Sequence, residues 1–177
     1  MAKARAAGRG SKATIYVEGV SEFIRDVSKV DPQFNKELRK AATDVAKILV
    51  ADTQKTAAAT KHQDSGRSAM FVESAKGLKA RSDRFPTIAL SGSSGFVSSS
   101  APNRKRKKKV NRADVFFGAE FGGRARRSTN QFNPYVKSPT GRGGRGYFFF
   151  PTVRKDAQKI ADQYLDAIDA ILRKLSD

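Results

Sequence analysis

Cysteine is absent from this 177-residue chain, and histidine occurs once, as His62. The first absence excludes disulfides and thiolate metal sites. The second leaves too little imidazole for a histidine metal centre or a multi-histidine proton relay. Purely apolar runs are only a few residues long, far below the ~20 that span a bilayer, so no membrane partner is expected. The first residues are charged and lack the apolar stretch of a signal peptide. Acidic side chains are scarce as well: 17 Asp and Glu stand against 35 Lys and Arg, a net charge of +18. Such a field favours polyanionic partners, nucleic acid first.

That charge is unevenly placed. Residues 1–12 carry +4 with no acid, and residues 101–150 hold 13 basic against 2 acidic side chains. Residues 151–177 are neutral and residues 31–59 carry only +1. The expected helices are therefore close to balanced, while arms and loops are basic. A domain that reads DNA through a cation-studded recognition helix would show the reverse.

The length suits one domain, here a flexible basic arm over residues 1–14 and a single domain over 15–177. Val20, Phe23, Ile24 and Val27 have the spacing of one helical face. Asp31-Pro32 is an N-cap acceptor with proline at the first helical position, and the apolar spacing from Phe34 to Leu49 predicts a long helix over about 32–58. A short helix is expected within 67–78. Strands are expected at 85–90 and 95–98, joined as a hairpin through Ser91-Gly92-Ser93-Ser94. Val115-Phe116-Phe117 and Tyr147 to Phe150 read as buried aromatic strands. Basic, aperiodic insertions at about 98–112 and 123–146 read as extended loops. From Val153 to Leu175 one unbroken apolar stripe predicts a long amphipathic helix. The expected fold class is α+β: short and long N-terminal helices, a small, mostly antiparallel sheet, and a long C-terminal helix.

Few residues suggest chemistry. His62, Asp64 and Ser65 are too close in sequence to present the geometry of a hydrolytic triad. Asp162, Asp166 and Asp169 share a helix face opposite the Ile160, Ile168 and Ile171 stripe, the pattern of a solvated surface. Gly141 to Gly146 lacks the Lys-Ser/Thr ending of a phosphate-binding loop. No catalysis and no cofactor are expected. The run Arg104, Lys105, Arg106, Lys107, Lys108 and Lys109, with Arg112 beyond it, fits either a sequence-independent contact with phosphates or a solvated loop extended by self-repulsion. Phe116, Phe117, Phe121 and the run Tyr147, Phe148, Phe149 and Phe150 point to core plus a subunit interface. Glu120, Arg124, Arg126 and Arg127, beside them in sequence, are expected in the same subunit or partner interface.

Two short motifs, in this order of elements, carry a resemblance. Glu120-Phe121-Gly122 closes an expected strand; then Tyr147-Phe148-Phe149-Phe150-Pro151-Thr152-Val153-Arg154 leads into the last helix. Gly19-Val20 with Phe23, and Ser65-Gly66-Arg67-Ser68, agree in the first half. The chain resembles the minor neck, or tail-completion, proteins of siphophages, in the form found in phages of actinobacteria. That resemblance implies a non-enzymatic virion protein of the head-to-tail joint, assembled in the host cytoplasm. It implies a homo-oligomeric ring (hexameric, with twelvefold symmetry as the alternative) around the DNA channel. Its neighbours would be connector or stopper, tail-terminator or tail-tube proteins, and its basic loops would face DNA without reading sequence. The other reading of the composition is a small basic nucleic-acid-binding protein.

Overall fold

Asp31 separates two helices. Its backbone N–H donates to the Val27 carbonyl and closes α1 (Val20–Val30), while its carboxylate accepts the Gln33 N–H at 2.7 Å. α2 (Pro32–Ala59) then begins on the proline, whose missing N–H is one the first helical turn leaves unpaired anyway. The structure, a computed structural model, is described for residues 2–7, 12–61, 69–91, 95–97, 109–123, 133 and 145–176. It contains the strands β1 (Ala2–Ala7), β2 (Lys12–Val17), β3 (Leu78–Arg81), β4 (Thr87–Leu90), β5 (Gly95–Val97) and β6 (Lys109–Asn111). The remaining helices are α3 (Ala69–Ala75), α4 (Arg112–Phe121) and α5 (Phe149–Ser176). The class is α+β, with a long C-terminal helix.

The chain divides into two compact units. The first comprises Met1–Ala51, Lys79–Ala89 and Val153–Asp177. Its sheet has the order β1-β2-β4-β3, with β2 antiparallel to both β1 and β4. Thr14 and Thr87 face each other across β2 and β4, with their hydroxyls 3.1 Å apart and buried. Phe34, Leu38, Ala42, Val45, Ala46 and Leu49 are the buried stripe of α2. Val153, Ile160, Ala161, Tyr164, Ile168 and Ile171 are that of α5. Each large apolar side chain buried this way contributes about 1.5–3 kcal/mol. The Tyr164 hydroxyl donates to the Arg84 carbonyl, which satisfies the one polar atom that ring takes into the core. Burial, with Asp83 nearby, pushes its phenol well above the usual range.

The second unit comprises Asp52–Leu78 and Leu90–Thr152. Phe71 and Ala75 of α3, Val115, Phe116 and Ala119 of α4, and Phe148 and Phe149 are buried there. β5 and β6 form an antiparallel pair, Gly95 opposite Asn111.

Several expectations are corrected. Residues 2–7 are not an unstructured arm: they form β1, paired with β2 from Ala2 opposite Val17 to Ala7 opposite Lys12. The strands at 85–90 and 95–98 exist in shortened form as β4 and β5, but belong to different sheets, so they do not form a hairpin. Val115-Phe116-Phe117 is helical, because Asn111 accepts the Ala113 N–H at 3.1 Å and the buried positions 115, 116, 119 and 120 repeat with helical period. Glu120-Phe121-Gly122 accordingly ends a helix. Gly122, at φ 75° and ψ −171°, takes a positive-φ conformation that glycine tolerates, and its N–H donates to the Gly118 carbonyl at 2.9 Å. Tyr147 to Phe150 is no strand either, since α5 starts at Phe149. The expected short helix is α3, and Leu78 lies in β3 instead.

Candidate functional site

The feature that organises the second unit is a carboxylate. α5 starts without a local cap, because Phe148, at the position before it, has no side-chain acceptor. Glu120 supplies one from the end of α4. Its Oε2 accepts the N–H groups of Phe148 at 3.1 Å and Phe149 at 2.9 Å, and its Oε1 accepts that of Phe150 at 2.8 Å. Pro151 has no N–H to satisfy, and Thr152 donates from both its N–H and its hydroxyl to the Phe148 carbonyl. The Glu120 backbone carbonyl takes the Tyr147 N–H at 2.8 Å. Every N–H from 147 to 150 thus ends on Glu120, at the positive end of the helix.

Glu120 is fully buried. Burial pushes its pKa up, while the N–H groups of Phe149, Phe150, Phe148 and Tyr147 oppose that rise. A folded-state value above the unfolded one means that Glu120 favours folding most below its ordinary 4.5, and that this contribution falls as pH climbs through the raised value. Gly146 lies against the same carboxylate at φ 82°, and a Cβ there would collide with Oε1.

Around this cap the aromatic residues sort by depth. Phe116, Phe148 and Phe149 are buried, with Phe116 edge-on to Phe148 at 5.6 Å and to Phe149 at 5.7 Å, and Phe71 edge-on to Phe148 at 6.1 Å. They are core, not interface, which corrects the assignment of all three, and of Glu120, to a subunit contact. Tyr147 is half-buried against Phe71. Phe117 is 48% exposed and stacks parallel on Phe121 at 6.3 Å, and Phe121 meets Phe150 at 5.3 Å. Phe117, Phe121 and Phe150 therefore form a partly exposed aromatic strip on the outer side of the capped junction.

Arg112, expected as a polyanion contact, is engaged within the chain. Its guanidinium donates to the Glu73 carbonyl at 2.9 Å and to the Glu73 carboxylate at 2.8 Å, with both side chains largely covered. Hydrogen bonds from Lys76 and then Arg112 hold Glu73 below its ordinary 4.5. A depressed carboxylate contributes stability above 4.5 that is lost as pH falls through its folded value. Arg112→Met is expected to cost about 1.5–3 kcal/mol at neutral pH, the usual worth of a charge-assisted hydrogen bond. It should also flatten the fall of stability below pH 4.5. Urea denaturation of both proteins across that range checks this, and parallel curves would contradict it.

Arg104, Lys105, Arg106, Lys107 and Lys108 fall outside the described residues, on the connection between β5 and β6. Of Lys109 only the backbone, in β6, is described. Arg124, Arg126, Arg127, His62, Asp64, Ser65 and 141–144 also lie outside them. Asp162, Asp166 and Asp169 are exposed, and Asp162 accepts from Gln158. Among the described residues no group of acidic side chains or histidine is arranged to hold a metal, and no helix is long and apolar enough to cross a membrane.

Sequence reasoning missed Asn133, which is buried inside an otherwise undescribed stretch. Its amide donates to the Lys61 carbonyl at 3.1 Å and its own carbonyl accepts the Gly123 N–H at 2.9 Å. It also missed the Thr152 hydroxyl, 2.9 Å from that of Thr56. No local pattern announces either. Comparison with protein families, curated proteins and solved structures gives no match.

Proposed function

We propose that this chain is a non-catalytic structural component of the neck of a long-tailed phage, a ring subunit that joins the filled head to the tail around the DNA channel. One observation carries the reading. The two motifs that resemble minor neck proteins, Glu120-Phe121-Gly122 and Tyr147 to Arg154, are joined through one buried carboxylate, so they act as a single structural device. The strip of Phe117, Phe121 and Phe150 supports a subunit contact, since aromatic side chains are enriched at interface centres. A head-to-tail contact repeated around a closed ring needs such a surface on each copy. The net charge of +18 suits a subunit that lines a channel filled with phosphates.

Deleting the gene from its phage tests this. The expected result is a population of DNA-filled heads and free tails, with infectivity restored by the gene supplied in trans. Joined, infectious particles from the deletion strain would overturn it. The charge alone also fits a small sequence-independent nucleic-acid-binding protein without a virion role; that reading predicts a deletion strain whose particles assemble normally.

A further inference from the structure

Near-neutral charge over α2 conceals a segregated surface. Lys36, Lys40, Thr43 and Lys47 follow one another at i, i+4, i+7 and i+11, which places them on one face with Arg39 beside them. That face is opposite the buried stripe of Phe34, Leu38, Val45 and Leu49. It borders an open groove of about 410 Å³ closed on one side by Ser82. The Thr43 hydroxyl reaches the Arg81 carbonyl at 3.4 Å, so the end of β3 runs alongside. Asp44 is the one acid on the groove, and it is occupied: Lys47 binds it at 2.8 Å and holds its pKa down. Lys36, Arg39 and Lys40 are exposed and make no salt bridge with any described residue.

We propose that this α2 face is a second contact for the phosphate backbone of duplex DNA, separate from the Arg104–Lys109 run. The shape decides for a chain of phosphates over a single one. From Lys36 to Lys40, with Arg39 between them, is four residues, about 6 Å of helix at 1.5 Å each. A duplex strand carries one phosphate per ~3.4 Å of axis, so these three cations can meet about two or three successive phosphates of one strand. The groove is open and its cations sit at its rim, which gives no enclosure for an isolated anion. Arg39 offers a planar fork to one phosphate, while Lys36 and Lys40 act as point charges on its neighbours. Nothing in this arrangement reads bases. The contact belongs to the isolated chain and does not depend on a place in the neck.

The test is a salt titration of the full-length chain with a random-sequence DNA duplex, comparing the wild type with Lys36→Gln/Arg39→Gln/Lys40→Gln. Each lost phosphate contact removes about 0.9 from the slope of log affinity against log salt. The triple variant is expected to lose about 2–3 from that slope and to bind roughly a hundredfold more weakly near 0.1 M salt. Lys36→Arg/Lys40→Arg should keep both. All three positions are exposed, so the thermal midpoint should stay near the wild type, and Lys40→Gln alone should lose about one third of the slope change if the triple variant folds poorly. An unchanged slope in the triple variant overturns the proposal. So does polyglutamate binding with equal affinity and an equal loss in the variant, which would make the face a surface for acidic proteins.

Discussion

Glu120→Ala is expected to destabilise the protein by about 3–5 kcal/mol. The substitution leaves the N–H groups of Phe148, Phe149 and Phe150 without their acceptor, the first two in buried and the third in part-buried positions. An orphaned buried donor costs about 1–3 kcal/mol. Three of them would exceed the expected figure, but removing a buried charge returns part of the desolvation penalty. For a chain of this size each kcal/mol lowers the thermal midpoint by about 2–4 °C, so the drop should be on the order of 10 °C. Glu120→Gln keeps the shape but turns one acceptor into a donor that faces an N–H, and should fall between the two. A change under about 0.5 kcal/mol in Glu120→Ala would show that solvent serves the start of α5 equally well.

The second large effect approaches the same carboxylate from its other side. Gly146→Ala must hold alanine at φ 82°, a left-handed conformation that costs an L-residue about 1–2 kcal/mol. Its Cβ must also displace Oε1 of Glu120, and overpacking of this kind costs about 1–3 kcal/mol. About 2–5 kcal/mol in total is expected, read from the shift of a urea transition. The two substitutions share an atom, so they should not add. In Glu120→Ala/Gly146→Ala the collision is gone and only the backbone term of the glycine remains, so the double variant should be more stable than the sum of the singles by about 1–3 kcal/mol. Strict additivity would mean that Gly146 matters only for its backbone.

The parts of this fold that were legible in the sequence are those with long, unbroken periodicity. α1, α2 and α5 follow from apolar spacing sustained over 11 to 28 residues and from the Asp31-Pro32 punctuation. Short aromatic runs misled, because three or four bulky residues in a row satisfy strand propensity before helical period can be judged. α4 in fact carries its signals: Asn111 ahead of it and Gly122 behind it. Residues 2–7 alternate only alanine with Lys3 and Arg5, residue types of low strand propensity, so β1 was not legible locally and its pairing comes from β2. Glu120 was legible as part of a motif, but its role was not, because the cap joins residues 28 to 30 positions apart. Arg112 shows the limit of counting charge along the chain. It stands three residues after a run of cations, yet Glu73, 39 positions away, takes it. The α2 face is the converse: a near-zero sum over 31–59 hides cations that helical geometry gathers on one side.

The proposed neck role requires the chain at the head–tail joint of finished particles. Purified virions labelled with gold-tagged antibody against this chain, and imaged by electron microscopy, address that directly. Label confined to the junction between head and tail on most particles is the expected result. Label on the capsid shell or the tail tip, or particles free of the chain altogether, would contradict it.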